Sequence, residues 1–241
     1  MSTLKHLILY SDLRLGWFPK LDLRKIYFSK LQSLTLGHFV FTHEWQFEWI
    51  LSHRATLRSL YLDHCSILYQ AGFTIAGWLD EENYPQPDLS GDFGISGDLW
   101  PPDDEMKAAM TFVSYKVRWH DFFLSCADEL CQLEDFRFGS SKQWNFNTRS
   151  RYPDDTDEPL PIMPWEAERK LENEIYEDAY VHYNDWKECY KAGDWEYKGN
   201  EDWKPEWQAR MESPPDCKDE DEAALKLLLY KVGLKTGKVK T

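Results

Sequence analysis

The segment LQSLTLGHFVF (residues 31–41) is followed by THEWQFEWILSHRAT (residues 42–56) and then by LRSLYLDHCSI (residues 57–67). One apolar pattern therefore occurs twice around a helix-like connector. Leu31, Leu34, Leu36, Phe39 and Phe41 correspond to Leu57, Leu60, Leu62, Cys65 and Ile67, and Leu57 follows Leu31 by 26 residues. Each copy reads LxxLxLxx(N/C)xL, a spacing that puts the first three apolar side chains on one side of a strand and turns the chain back after it. One copy cannot bury its own apolar edge, so adjacent copies must stack on one another.

Two further copies extend the series. Leu4, Leu7 and Leu9 lie 27 residues ahead of Leu31, Leu34 and Leu36, with Asp12 at the Asn/Cys position. Leu133, Phe136 and Phe138 in LEDFRFG follow Leu57, Leu60 and Leu62 by 76 residues, close to three periods, with no copy between. The pattern is that of a leucine-rich repeat. The expected fold class is α/β: a short leucine-rich-repeat solenoid, parallel strands alternating with helices, with a helical, partly irregular C-terminal extension. Residues 1–143 make up the solenoid, and residues 68–114, rich in Gly, Pro and Asp, are expected as an inserted acidic loop. Thr42 can cap a connector helix with Trp45, Trp49 and Ile50 facing the core. Trp119, Phe122, Phe123, Ala127 and Leu130 repeat that helical spacing before Leu133. His38 and His64 are equivalent positions just after their strands, which predicts a repeated structural role.

Beyond the repeats the character changes. Residues 144–164 form a Pro-rich linker, since Pro153, Pro159, Pro161 and Pro164 forbid a long helix or a central strand. The extension spans residues 165–241. Within it, Leu171, Ile175, Ala179, His182 and Trp186 lie on one helical stripe, predicting a helix from Trp165 to about Tyr190. Residues 193–215 receive no assignment. Asp219 and Glu222 have capping-box spacing, Leu225, Leu228, Leu229 and Val232 form an apolar stripe, and Gly233 stands where a C-cap is expected.

A formal charge of −14 and a pI near 4.9 argue against nucleic acid as a partner, because phosphate binding needs clustered positive charge. No apolar run is long enough to span a bilayer, so no membrane partner is expected. Five cysteines without a CxxC pair fit a reducing compartment, cytoplasmic or nuclear.

Chemistry is weakly signalled. Neither GxSxG nor a recognisable cysteine motif marks a nucleophile. Cys126 and Cys131 lack a second pair to complete a zinc set, so no metal, cofactor or catalytic residue is expected. Glu174, Asp178 and His182 would share a side of the expected helix, where a hydrogen-bonded structural histidine is the simpler reading than a metal ligand. Gly91, Gly94 and Gly97 in GDFGISG lack the flanking strand and helix of a dinucleotide site. Tryptophans beside carboxylates keep one alternative open, a carbohydrate-active or other hydrolase, although Trp45, Trp49 and Trp119 fall on expected core faces. A degenerate fragment without its own partner is the other alternative.

The run LTLGHFVFTHEWQFEWILSHRATLRSLYLDHCSIL resembles the leucine-rich half of fungal F-box proteins, through a FxFxHxWQxxWIxxHxxTLxxLxLxxC pattern matched from Phe39 to Cys65. The resemblance covers roughly residues 1–143 and implies a non-enzymatic protein-binding module, like the substrate-recognition part of a ubiquitin-ligase subunit. The F-box itself has no counterpart here, because Met1 already lies in the repeats, so a Skp-type adaptor is not the expected partner. The partner would be an unidentified protein. It would meet the strand residues that alternate with the leucines: Tyr10, Thr35, Tyr61, Asp63 and Arg137, with His6, Ile8, Ser33, Ser59 and Asp135 completing one exposed concave face.

Overall fold

The computed structural model describes residues 3–73, 79–85, 111–140, 171–184, 189–192 and 212–237. Among these residues the chain is a mixed α/β protein with an open, mostly parallel eight-stranded sheet and three helices. The expected linker at residues 144–164 and the unassigned stretch up to residue 211 lie outside the described residues.

The strands are β1 (His6–Leu15), β2 (Ser33–Phe41), β3 (Ser59–Asp63), β4 (Ser66–Phe73), β5 (Thr111–Ser114), β6 (Asp135–Gly139), β7 (Tyr180–Asn184) and β8 (Cys189–Ala192). The helices are α1 (Glu44–Leu51), α2 (Trp119–Glu129) and α3 (Lys218–Lys235). The four segments that carry the apolar pattern lie side by side in the order β1, β2, β3, β6, all parallel. Their register is the one the sequence copies predict: Leu7 meets Leu34, Leu34 meets Leu60, and Leu60 meets Phe136. Leu34, Leu36, Leu60 and Leu62 are at most 1% exposed. They face α1 and α2, whose aromatic rings fill the layer between: Phe47 stacks on Phe122 with centroids 4.3 Å apart, and Trp119 meets Phe138 edge-on at 4.8 Å. Offset and edge-on pairs of this kind add to the burial of the rings themselves.

His38 and His64 have left-handed backbone, φ 55° and 51°. Each turns the chain from the first ladder into a second: β2 leaves β3 after Gly37 and pairs with β4 through Val40 and Phe41, while His64 links β3 to β4. Their rings are 4.7 Å apart, so the equivalence read from the sequence is a structural one. The second ladder adds β7 parallel to β4, with β5 and β8 antiparallel at their sides.

Several expectations need correction. The insertion does not begin at residue 68, because β4 is buried along its whole length; such a strand reads as a short apolar run without alternation. No helix covers residues 171–184. That stretch is irregular, passes through one 3-10 turn (Glu177–Ala179) and ends as β7, so Leu171, Ile175 and Ala179 precede the strand and only His182 of the stripe's described residues lies in it. Residues 80–85 are not a free acidic loop. Tyr84 is fully buried, and Asp80 and Glu82 pair with Lys20 and Arg24; residues 86–105 lie outside the described residues. The N-cap of α1 is His43 instead of Thr42, and Gln46 reaches back to accept both the Thr42 and His43 N–H groups. In α3, Cys217 precedes the first turn and Gly233 lies within the helix, which ends at Lys235 with Thr236 as its C-cap.

Candidate functional site

The outward positions of the four-strand ladder form the face expected to meet a partner. In register, Ile8, Thr35, Tyr61 and Arg137 make one row, and His6, Ser33, Ser59 and Asp135 the next. The rows are not uniformly open. Ile8 is 44% exposed and Tyr10, Tyr61, Asp135 and Arg137 are half-buried, but Thr35 and Asp63 are buried, at 1% and 0%. Thr35 and Asp63 therefore leave the exposed set. The reason for Asp63 is visible next door: Gly37 carries no side chain, and the Tyr10 ring crosses it so closely that a Cβ there would stand 2.1 Å from ring carbons. Across that gap the Tyr10 hydroxyl donates to Asp63 Oδ2 at 3.0 Å. The next pair repeats the chemistry, with Tyr61 donating to Asp135 Oδ2 at 2.9 Å. Arg137 lies over the Tyr61 ring at 5.7 Å, and its Nε is 3.6 Å from Asp135 Oδ1. Burial, then the Asp135 hydrogen bond, raise the Tyr61 pKa, so its hydroxyl stays a donor.

Beside Arg137 the open edge of β6 borders a cleft of about 260 Å³, lined by Asp135, Arg137, Leu171, Asn173, Leu229 and Thr236 among others. Asn173 Oδ1 accepts the Phe138 N–H, which partly closes this edge. Unpaired strand edges invite pairing with other chains, and a capped edge is the usual way of limiting it.

A second polar group sits where the histidine corners meet the end of β1. Arg14 donates to Ser66 Oγ at 2.7 Å and to Asp178 Oδ2 at 3.3 Å, and His64 Nε2 is 3.2 Å from the same carboxylate oxygen. Hydrogen bonding from His64 holds the Asp178 carboxyl below its ordinary range. Burial, and then the charges of His64 and Arg14, push His38 down to about 3. Asp178 and His182, read from the sequence as neighbours on one helix, do not converge: His182 is buried in β7 against the Tyr69 hydroxyl, 3.2 Å away.

The third group was missed in the sequence. Asp221 at the start of α3 is 0% exposed and accepts two hydrogen bonds at 2.8 Å through Oδ1, from the His120 N–H and from His120 Nδ1. Cys217 Sγ is 3.5 Å from Asp221 Oδ2 and 3.3 Å from the Tyr180 hydroxyl, which accepts the Trp119 N–H. The first N–H groups of α2, which have no partner within their own helix, are thus satisfied from β7 and α3. His120 and Asp221 are 101 residues apart in sequence, and no local motif announces their meeting. His120, Cys217 and Asp221 are the residues whose atoms could together hold a metal ion among those described.

This trio is not arranged as a nucleophile and base. The carboxylate stands between the thiol and the imidazole, whereas nucleophilic catalysis needs the base against the nucleophile. Burial pushes the Cys217 thiol up to about 11, and Cys65 and Cys126 are likewise pushed up by burial, which disfavours the reactive thiolate. Among the described residues no helix is long and apolar enough to cross a membrane. Comparison with protein-family models, with curated proteins and with solved structures yields no match to this chain.

Proposed function

We propose that this chain is a non-enzymatic protein-binding module, a short leucine-rich-repeat solenoid of the kind that recognises substrates in fungal F-box proteins. The observation that carries the reading is the register of β1, β2, β3 and β6, which lines up apolar positions on one face and Ile8, Tyr61 and Arg137 on the other. Tyrosine and arginine side chains often dominate interface energy. Here Tyr61 and Arg137 are already held by Asp135, so little side-chain freedom is lost on binding. The binding surface is revised to Tyr10, Tyr61 and Arg137 with Ile8 and Asp135; buried Asp63 holds the Tyr10 hydroxyl, and Thr35 is buried.

The test is recovery of interactors from fungal lysate with the wild-type chain and with Tyr61→Ala plus Arg137→Glu, after showing that both melt alike. A reproducible partner retained by the wild type and lost by the double variant supports the proposal. Equal recovery of every interactor by both chains removes this face as the binding surface.

A further inference from the structure

We propose that His120, Cys217 and Asp221 bind one zinc ion, which ties the C-terminal helix α3 to the start of α2. The inference is independent of the strand-face reading, because none of these residues lies on that face.

The donor set is one imidazole nitrogen, one sulfur and one carboxylate oxygen, all within 4.8 Å of one another. Sulfur with imidazole suits zinc and is poor for magnesium or calcium. Zn–S of about 2.3 Å and Zn–O of about 2.1 Å at a tetrahedral angle separate the two ligands by roughly 3.6 Å. Cys217 Sγ and Asp221 Oδ2 are 3.5 Å apart. The Nδ1 to Oδ1 distance, 2.8 Å, is that of a hydrogen bond. Coordination through Oδ2 leaves Oδ1 to the His120 backbone N–H, and the ring exchanges its hydrogen bond to Oδ1 for the metal.

Charge points the same way. Asp221 is fully buried, and among the described residues the cation-forming group paired with it is the His120 ring, 2.8 Å away, with no lysine or arginine ion pair. A buried carboxylate needs a compensating charge. A zinc ion with one thiolate, one carboxylate and a neutral imidazole has no net charge. The N-terminus of α2, whose His120 N–H donates to Asp221 Oδ1, favours the anionic form of that carboxylate. On binding, the Cys217 sulfur gives its proton to solvent. The imidazole moves its proton from Nδ1 to Nε2, which frees Nδ1 for the metal; Asp121 Oδ1 lies 3.7 Å from Nε2, longer than a hydrogen bond. The fourth position falls to water or to the Tyr180 hydroxyl, 3.3 Å from the sulfur.

The experiment uses the full chain. Zinc is measured by elemental analysis after dialysis, then replaced by cobalt(II), whose bond to a thiolate gives a charge-transfer band that a carboxylate site lacks. One zinc per chain is expected, with a cobalt–thiolate band that persists in Cys131→Ser and disappears in Cys217→Ser. The second variant is His120→Gln, which retains a side-chain donor for Asp221 and is expected to bind cobalt at least tenfold more weakly. A wild-type chain with no cobalt–thiolate band overturns the proposal without reference to any variant. The proposal is equally overturned if the band survives Cys217→Ser, because the thiolate then lies elsewhere.

Discussion

His38 offers the sharpest quantitative test of the packing, through replacement by asparagine. The ring is buried at the corner of β2, 4.7 Å from His64, with Arg14 and Asp178 close enough to act on it. Its pKa is lowered from 6.5 to about 3, burial being the largest cause. The unfolded chain then binds a proton between these values that the folded chain refuses. Stability is therefore lost as pH falls below about 6.5, and the loss stops growing near pH 3. Integrating over one site, the wild type should lose about 2 kcal/mol between pH 7 and pH 5 on this account alone. His38→Asn retains a residue type that tolerates the left-handed backbone but removes the titrating group. Burial also lowers His43 and His53, which remain in both chains and cancel in the comparison. Urea denaturation at pH 7, 6 and 5 measures the difference. A variant that is less stable at pH 7 but flatter by about 2 kcal/mol supports the reasoning. Parallel curves for the two proteins would refute it, showing that His38 is hydrated or titrates normally in the folded chain.

Other outcomes follow from the same contacts. Leu60→Ala removes a fully buried strand residue and should cost about 2–5 kcal/mol in a denaturant titration, the larger value if α1 and α2 cannot close the gap. Tyr10→Phe leaves buried Asp63 without its hydroxyl donor and should cost about 1.5–3 kcal/mol, whereas Tyr61→Phe beside half-exposed Asp135 should cost less in the same assay. Gly37→Ala must displace the Tyr10 ring and should destabilise more than Tyr10→Phe. Arg24→Ala, despite two carboxylate partners, should shift the unfolding midpoint by less than about 1 kcal/mol, because the pairs are more than a third exposed.

The sequence by itself determined the four-strand ladder and its register. Leucine pairs at alternate positions must all face the same way, and a slip of one residue would turn Leu34, Leu36, Leu60 and Leu62 out to solvent together. It also determined that His38 and His64 share a role, and that a helix ends the described chain. What it left to tertiary structure has a common cause. β4 and β7 are buried on both faces, so neither alternates, and the spacing of Ile175, Ala179 and His182 fitted a helix as well as an irregular segment leading into a strand. Asp63 reads as an outward strand position, and only the absence of a side chain at Gly37 lets Tyr10 cover it. Asp221 reads as one more acid in the first turn of a helix. Its meeting with His120 depends on how α3 packs against α2, a contact between segments about a hundred residues apart for which no local spacing carries a signal.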